Sequence, residues 1–150
     1  MKWFLATALF FALVSCSTYS DENLNSFDQE ITHHLDSLGV DMKRMENGLY
    51  YKILDEGDGE RTIQYKDQIT FYYTGSFLDG NAFQVIGEDE PLTYKVKELI
   101  IGWQDALMLL KEHGAIEIII PPQLGYADEN TTMIPSNTIL KYELHVTEVE

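Results

Sequence analysis

The chain of 150 residues has one cysteine, four prolines and only 10 basic residues. A single thiol cannot close an internal disulfide, so any fold must rest on an apolar core. The 10 basic residues stand against 25 acidic ones, a formal charge of −15. Such a surface repels phosphate backbones, so nucleic acid is excluded as a partner. The acidity itself reads as a solvated surface. Beyond the N-terminus no apolar run reaches the ~20 residues of a membrane span. A Ser-based nucleophile elbow and a phosphate-binding glycine loop are also missing. His33 and His34 are neighbours on an expected helix and point apart, which argues against a metal pair. Asp55-Glu56-Gly57-Asp58-Gly59-Glu60 does not meet EF-hand spacing, because Gly57 falls at the third ligand position. It reads as a glycine-rich turn. His113 and His145 have no partner evident from the sequence.

The N-terminus reads as an address. Met1-Lys2 is a positive tip, and Trp3 to Val14 is apolar apart from Thr7. Ser15 and Cys16 follow, and then the chain turns polar. This order describes a secretory signal peptide over residues 1–15. Leu13-Val14-Ser15-Cys16 resembles the bacterial lipobox, in which the cysteine becomes the first mature residue and is acylated. That resemblance implies lipidation at Cys16 and a protein anchored in a bacterial cell envelope. Each buried methylene of the acyl chains adds ~0.8 kcal/mol to such an anchor. Ser17 at the following position implies sorting to the outer membrane, facing the periplasm. Ser20-Asp21-Glu22 resembles the acidic surface-export signals of some Bacteroidetes lipoproteins, so surface exposure stays open.

The mature chain divides into a polar tether over 16–25, a helical extension over 26–47 and a domain over 48–150. Ser26 with Gln29 forms a capping box, and Phe27, Ile31, Leu35 and Leu38 share one helix face up to Gly39. From Gly48 the hydrophobic period changes to two. Leu49, Tyr51 and Ile53 alternate with Tyr50, Lys52 and Leu54. Gln68 to Phe77 is a strong strand with Ile69, Phe71 and Tyr73 on one face. Asp79-Gly80 is a turn, and Ala82 to Ile86 and Leu92 to Val96 are shorter strands. Glu98 to His113 contains the domain's clear helix, with Trp103, Leu107 and Leu110 on one face and Gly114 ending it. Ala115 to Ile120 is nearly all apolar, as for a central strand. Pro121 to Ser136 is a long loop of the kind that carries function. Leu140, Tyr142, Leu144 and Val146 alternate in a last strand. Strands about a single helix argue an α+β fold, with an antiparallel sheet half-wrapped around that helix and an extra N-terminal helix in front.

Several short motifs then fall in one order. They are Tyr73-Thr74-Gly75, Leu78-Asp79-Gly80 with Phe83, Ile101-Gly102-Trp103, Gly125-Tyr126, Ile134-Pro135-Ser136-Asn137 and Leu140-Lys141-Tyr142-Glu143-Leu144. In order and spacing the stretch from about Gly48 to Glu150 resembles the FKBP-type peptidyl-prolyl cis-trans isomerases. The resemblance implies a proline pocket between sheet and helix. It makes Trp103 the floor, and Tyr73, Phe83 and Tyr142 the aromatic walls. Leu92, Leu99, Ile100 and Ile134 complete the apolar lining. The Ile100 N–H and the Tyr126 hydroxyl would donate to the substrate. The family has Asp after the phenylalanine, where this chain has Gln84, a neutral group that still hydrogen-bonds. Leu92 stands for a second usual aromatic, and Ser136 for a proline.

The implied reaction needs little. Rotating an X–Pro amide breaks resonance across a barrier of ~18–20 kcal/mol. A pocket that excludes water and fits the twisted amide lowers it without acid, nucleophile, metal or cofactor. Three readings follow. The first is an isomerase that assists folding of exported, proline-containing polypeptides. The second is an FKBP-like peptide-binding or assembly lipoprotein with weak or no isomerase activity, marked by Gln84. The third is a lipoprotein scaffold acting through its acidic surface.

Overall fold

A computed structural model describes residues 19–150. The expected leader and Cys16 lie outside the described residues. Among the described residues two α-helices, α1 (Asp21–Leu38) and α2 (Ile101–Leu107), accompany seven strands. These are β1 (Lys43–Arg44), β2 (Tyr50–Asp55), β3 (Gln68–Phe77), β4 (Ala82–Ile86), β5 (Leu92–Lys95), β6 (Ala115–Ile120) and β7 (Leu140–Val149). They form one sheet in the order β1-β2-β6-β7-β3-β4, with β5 also on β3. Every pairing is antiparallel. The α+β architecture expected above is the one observed, with the extra helix in front. Among the described residues no helix is long and apolar enough to cross a membrane.

Helix α1 starts earlier than the spacing predicts. Its cap is Ser20, not Ser26, so residues 21–25 are helix rather than tether. The Ser20 hydroxyl accepts the Asn23 N–H at 3.3 Å, and Asn23 Oδ1 lies 3.4 Å from the Ser20 N–H. Asn23 thus plays the part usually given to Glu or Gln in a capping box. Asp21 and Glu22 complement the positive end of the helix dipole. Gly39 closes the helix with φ 63°, donating its N–H to Asp36.

The sheet is covered on both faces, which explains β6. Ile116, Ile118 and Ile120 join Trp103, Leu107 and Leu110 in the main core beside α2. Ile119 faces the other way and packs with Ile31, Leu35, Tyr50 and Ile139 beneath α1. Tyr50, on the face opposite Leu49, is therefore buried too. Its hydroxyl donates to Asp28 Oδ1 of α1 at 2.9 Å, and Arg44 Nε approaches the same oxygen at 2.6 Å. Each fully buried Ile or Leu in these layers contributes roughly 1.5–3 kcal/mol.

Helix α2 is shorter than the expected span and ends at Leu107, well before Gly114. The chain continues in tight turns, with the Leu109 N–H on Ala106 and the Leu110 N–H on Leu107. The Lys111 N–H leaves for Glu56, which ties this segment to the loop after β2. Leu110 remains fully buried because the turns keep it on the same side. Gly102 lets α2 lie close on the sheet: a Cβ there would meet Ile120 at 2.8 Å.

Candidate functional site

Between α2 and the concave face of the sheet opens a cleft of about 400 Å³. That volume lies within the range of small-molecule and peptide-side-chain pockets. Its centre is Trp103, which the first turn of α2 pushes against β3 and β7. The indole meets Tyr73 at 4.8 Å, Tyr142 at 4.9 Å and Phe71 at 5.4 Å, each near-perpendicular. Edge-to-face packing suits the ring quadrupoles and holds four rings in one fixed arrangement. The indole N–H is buried and meets no oxygen or nitrogen acceptor among the described residues.

Strand alternation places the walls. Tyr73 and Phe71 sit two residues apart on β3 and point inward together. Tyr142 stands opposite Gly75 in the β3–β7 register. Gly75 must be small, because a Cβ there would meet the Phe83 ring at 2.7 Å and Tyr142 at 2.8 Å. Its bare backbone lets Phe83 and Tyr142 pack edge-to-face at 5.7 Å.

The segment before α2 supplies the remaining wall. Leu99 and Ile100 line the cleft, and Gln104 Nε2 donates to the Leu99 carbonyl at 2.6 Å, bracing that turn. The Ile100 carbonyl accepts the N–H groups of Trp103 and Gln104. Its own N–H precedes the helix and donates no hydrogen bond among the described residues.

Of the ten pocket residues expected, Tyr73, Gln84, Leu92, Leu99, Ile100, Trp103, Tyr126 and Tyr142 line the cleft. Phe83 and Ile134 are not among its lining residues. Phe83 packs on Phe77 and Tyr142, and Ile134 is buried in the core. Phe71, Tyr94 and Glu98 also line it and were not foreseen. The signal for the first two was present: Phe71 precedes Tyr73, and Tyr94 follows Leu92, by one strand period.

The cleft is largely uncharged, with Glu98 its one ionisable carboxylate. Burial pushes the Tyr73 hydroxyl up to about 12, with smaller contributions from Tyr126 and Tyr94. Burial raises Tyr142 further, and the neighbouring Tyr126 hydroxyl adds to the effect. Both hydroxyls therefore stay protonated near neutrality. The arrangement can enclose an apolar ring, exclude water from it, and offer neutral donors to a carbonyl.

The two histidines without evident partners have them. His113 Nδ1 lies 2.6 Å from Asp58, and this hydrogen bond raises the imidazole and holds the Asp58 carboxyl low. His145 stacks flat on Tyr72 at 4.7 Å and reaches Glu143 at 2.9 Å. No group of three side chains able to hold a metal ion occurs among the described residues.

Comparisons with known proteins agree with this geometry. The family profile described as FKBP-type peptidyl-prolyl cis-trans isomerase matches residues 59–147, more than half of the chain. The chain is 34% identical over 110 residues to the FKBP-type peptidyl-prolyl cis-trans isomerase FkpA of Buchnera aphidicola (subsp. Schizaphis graminum), covering 73% of this chain and 44% of that protein. It is 32% identical over 111 residues to the peptidyl-prolyl cis-trans isomerase Mip of Coxiella burnetii, covering 73% and 48%. The crystal structure of FkpA from Escherichia coli superposes with a TM-score of 0.74 at 24% identity, over 87% of this chain and 62% of that one. A peptidyl-prolyl cis-trans isomerase from Pseudomonas syringae superposes with a TM-score of 0.71 at 20% identity, over 89% and 98%. The chain spans a little under half the length of these curated relatives.

Proposed function

The chain belongs to the FKBP-type peptidyl-prolyl cis-trans isomerase family, and on that premise we propose that it accelerates rotation about X–Pro bonds in extended polypeptides. The observation that carries this reading is the largely uncharged aromatic cleft around Trp103. The proline ring rests on the Trp103 indole, between Tyr73 and Tyr142. The Ile100 N–H and the Tyr126 hydroxyl donate to the carbonyls that flank the proline. Rotation makes and breaks no covalent bond, so the work is differential binding. Water stabilises the planar, charge-separated amide, and an apolar wall removes that stabilisation. Donors placed for the twisted form lower the barrier, with each 1.36 kcal/mol of preference giving about tenfold in rate.

A protease-coupled assay on a proline peptide tests this with the purified chain. The expected result is acceleration that Trp103→Leu abolishes. Undiminished acceleration in that variant removes the cleft from the reaction.

Gln84 favours a second reading. It lines the cleft as a neutral amide where the family has a carboxylate. In that reading the protein holds peptides, or assists assembly, and turns the bond slowly or not at all. Peptide binding without acceleration at micromolar protein selects it.

The lipid-anchored form rests on Cys16 at the end of the apolar run. It places the domain in the bacterial envelope, at the outer membrane facing the periplasm, with exported polypeptides as clients. A palmitate analogue should label the protein in cells, and label persisting in Cys16→Ala contradicts acylation at that thiol.

A further inference from the structure

Tyr126 does not stand on a strand or helix. It belongs to the long loop between β6 and β7, so something else must fix its position. Two non-glycine residues of this loop have left-handed backbone, Ala127 with φ 53° and Asn137 with φ 58°. Such a conformation costs an L-residue free energy and persists only where its surroundings over-determine it. The two are joined, the Asn137 N–H donating to the Ala127 carbonyl at 2.8 Å. On the other side the Ala127 N–H donates to Pro122 at 2.9 Å. The residue after Tyr126 is thereby held from both ends of the loop.

The outer end of this chain of bonds comes from 118 residues away. The Tyr19 hydroxyl donates to Asn137 Oδ1 at 2.6 Å. Tyr19 immediately precedes the cap of α1 and is only 9% exposed. Its ring packs edge-on against Phe27 of α1 at 5.3 Å. Burial, and then the carboxylate of Asp128, raise the Tyr19 hydroxyl and keep it a donor. Helix α1 is itself seated on the outer face of the sheet. The strained loop is thus latched to a helix none of whose residues lines the cleft.

We infer that Tyr19 and Asn137 are positioning residues, which act through Ala127 to hold the Tyr126 hydroxyl where a substrate carbonyl arrives. This rests on the proposed role of the cleft in binding X–Pro segments. The test uses the purified chain and its Tyr19→Phe, Asn137→Gly and Asn137→Asp variants. Tyr19→Phe removes one hydroxyl. Asn137→Gly keeps the backbone geometry and removes the acceptor, and Asn137→Asp keeps the acceptor.

Two readouts are taken: amide exchange at Ala127 and Asn137, and KM and kcat for a proline peptide. Tyr19→Phe and Asn137→Gly should speed exchange at both amides. They should also raise KM about three- to tenfold, the span of one neutral hydrogen bond, with kcat changed less. Asn137→Asp should stay near wild type in both. The double variant should be no worse than either single one, because both break the same link. Faster exchange with an unchanged KM makes the contact merely structural and overturns the inference. Unchanged exchange in Tyr19→Phe overturns it whether or not the wild type isomerises. A wild type that neither binds nor accelerates the peptide defeats the proposed function, and exchange then still decides whether Tyr19 holds the loop.

Discussion

The two faces of the sheet are packed by one helix each and end in opposite states. Under α1 the outer face closes: Ile31, Leu35, Tyr50, Ile119 and Ile139 fill the space, and Asp28 satisfies both Tyr50 and Arg44. Under α2 the inner face stays partly open. Three rings meet the Trp103 indole at near right angles, and a cleft of about 400 Å³ remains beside them. The helices differ in length in the same sense as the two faces differ in closure. The long one, 18 residues, seals; the short one, 7 residues, leaves a site. A short helix covers too little of a curved sheet to close it, and the uncovered part is lined by what the strands already carry.

The two faces should respond separately to substitution. The largest effect belongs to the sealed face. Ile31→Ala should lower unfolding free energy by about 2–5 kcal/mol in urea titration. The rate constants of the folded fraction should be unchanged, and a matching loss of kcat/KM would show the faces to be coupled. Next is Gly75→Ala on the open face. Its Cβ would force Phe83 and Tyr142 apart, at about 1–3 kcal/mol of overpacking. Here peptide KM should rise together with the loss of stability. A smaller effect is expected from Gln84→Asp, up to about tenfold in isomerase rate with little change in Tm. A rate unmoved by this change would show that a charge at that position is dispensable.

The smallest effect is that of pH between about 6 and about 9, where Tyr73 and Tyr142 do not ionise. Both have folded-state values raised above 10, so the stability linked to their neutral forms is fully present below about pH 10. It is lost as pH rises through about 12 for Tyr73. Alkaline unfolding followed by circular dichroism should therefore begin above pH 10.

Legibility in the sequence followed the strength of local signals. Strand β3 was readable to its ends, because Ile69, Phe71 and Tyr73 alternate with polar residues and the period admits no other register. The start of α1 was not. Ser20 and Ser26 are both competent caps, and the choice between them depends on where the stripe of Leu24, Phe27 and Ile31 can be seated. The cleft was mostly readable through its resemblance, yet Phe83 and Ile134 are not among its lining residues. Whether an aromatic lines a cavity or backs its wall depends on neighbours such as Gly75, which local pattern does not reveal.

By itself the sequence determined the strand periods, the two helices, the apolar β6 and the order of the family motifs. All of these are set by interactions within a few residues, or by covalent order. Tertiary structure alone decided that β6 buries apolar residues on both of its faces, because the strand is roofed twice. It alone decided that Glu98 joins the aromatic residues at the cleft. And it alone joined Tyr19 to Asn137, a contact between residues 118 apart in the chain. Such contacts form only when separately folded layers bring distant groups together, so nothing in the neighbourhood of either residue announces them.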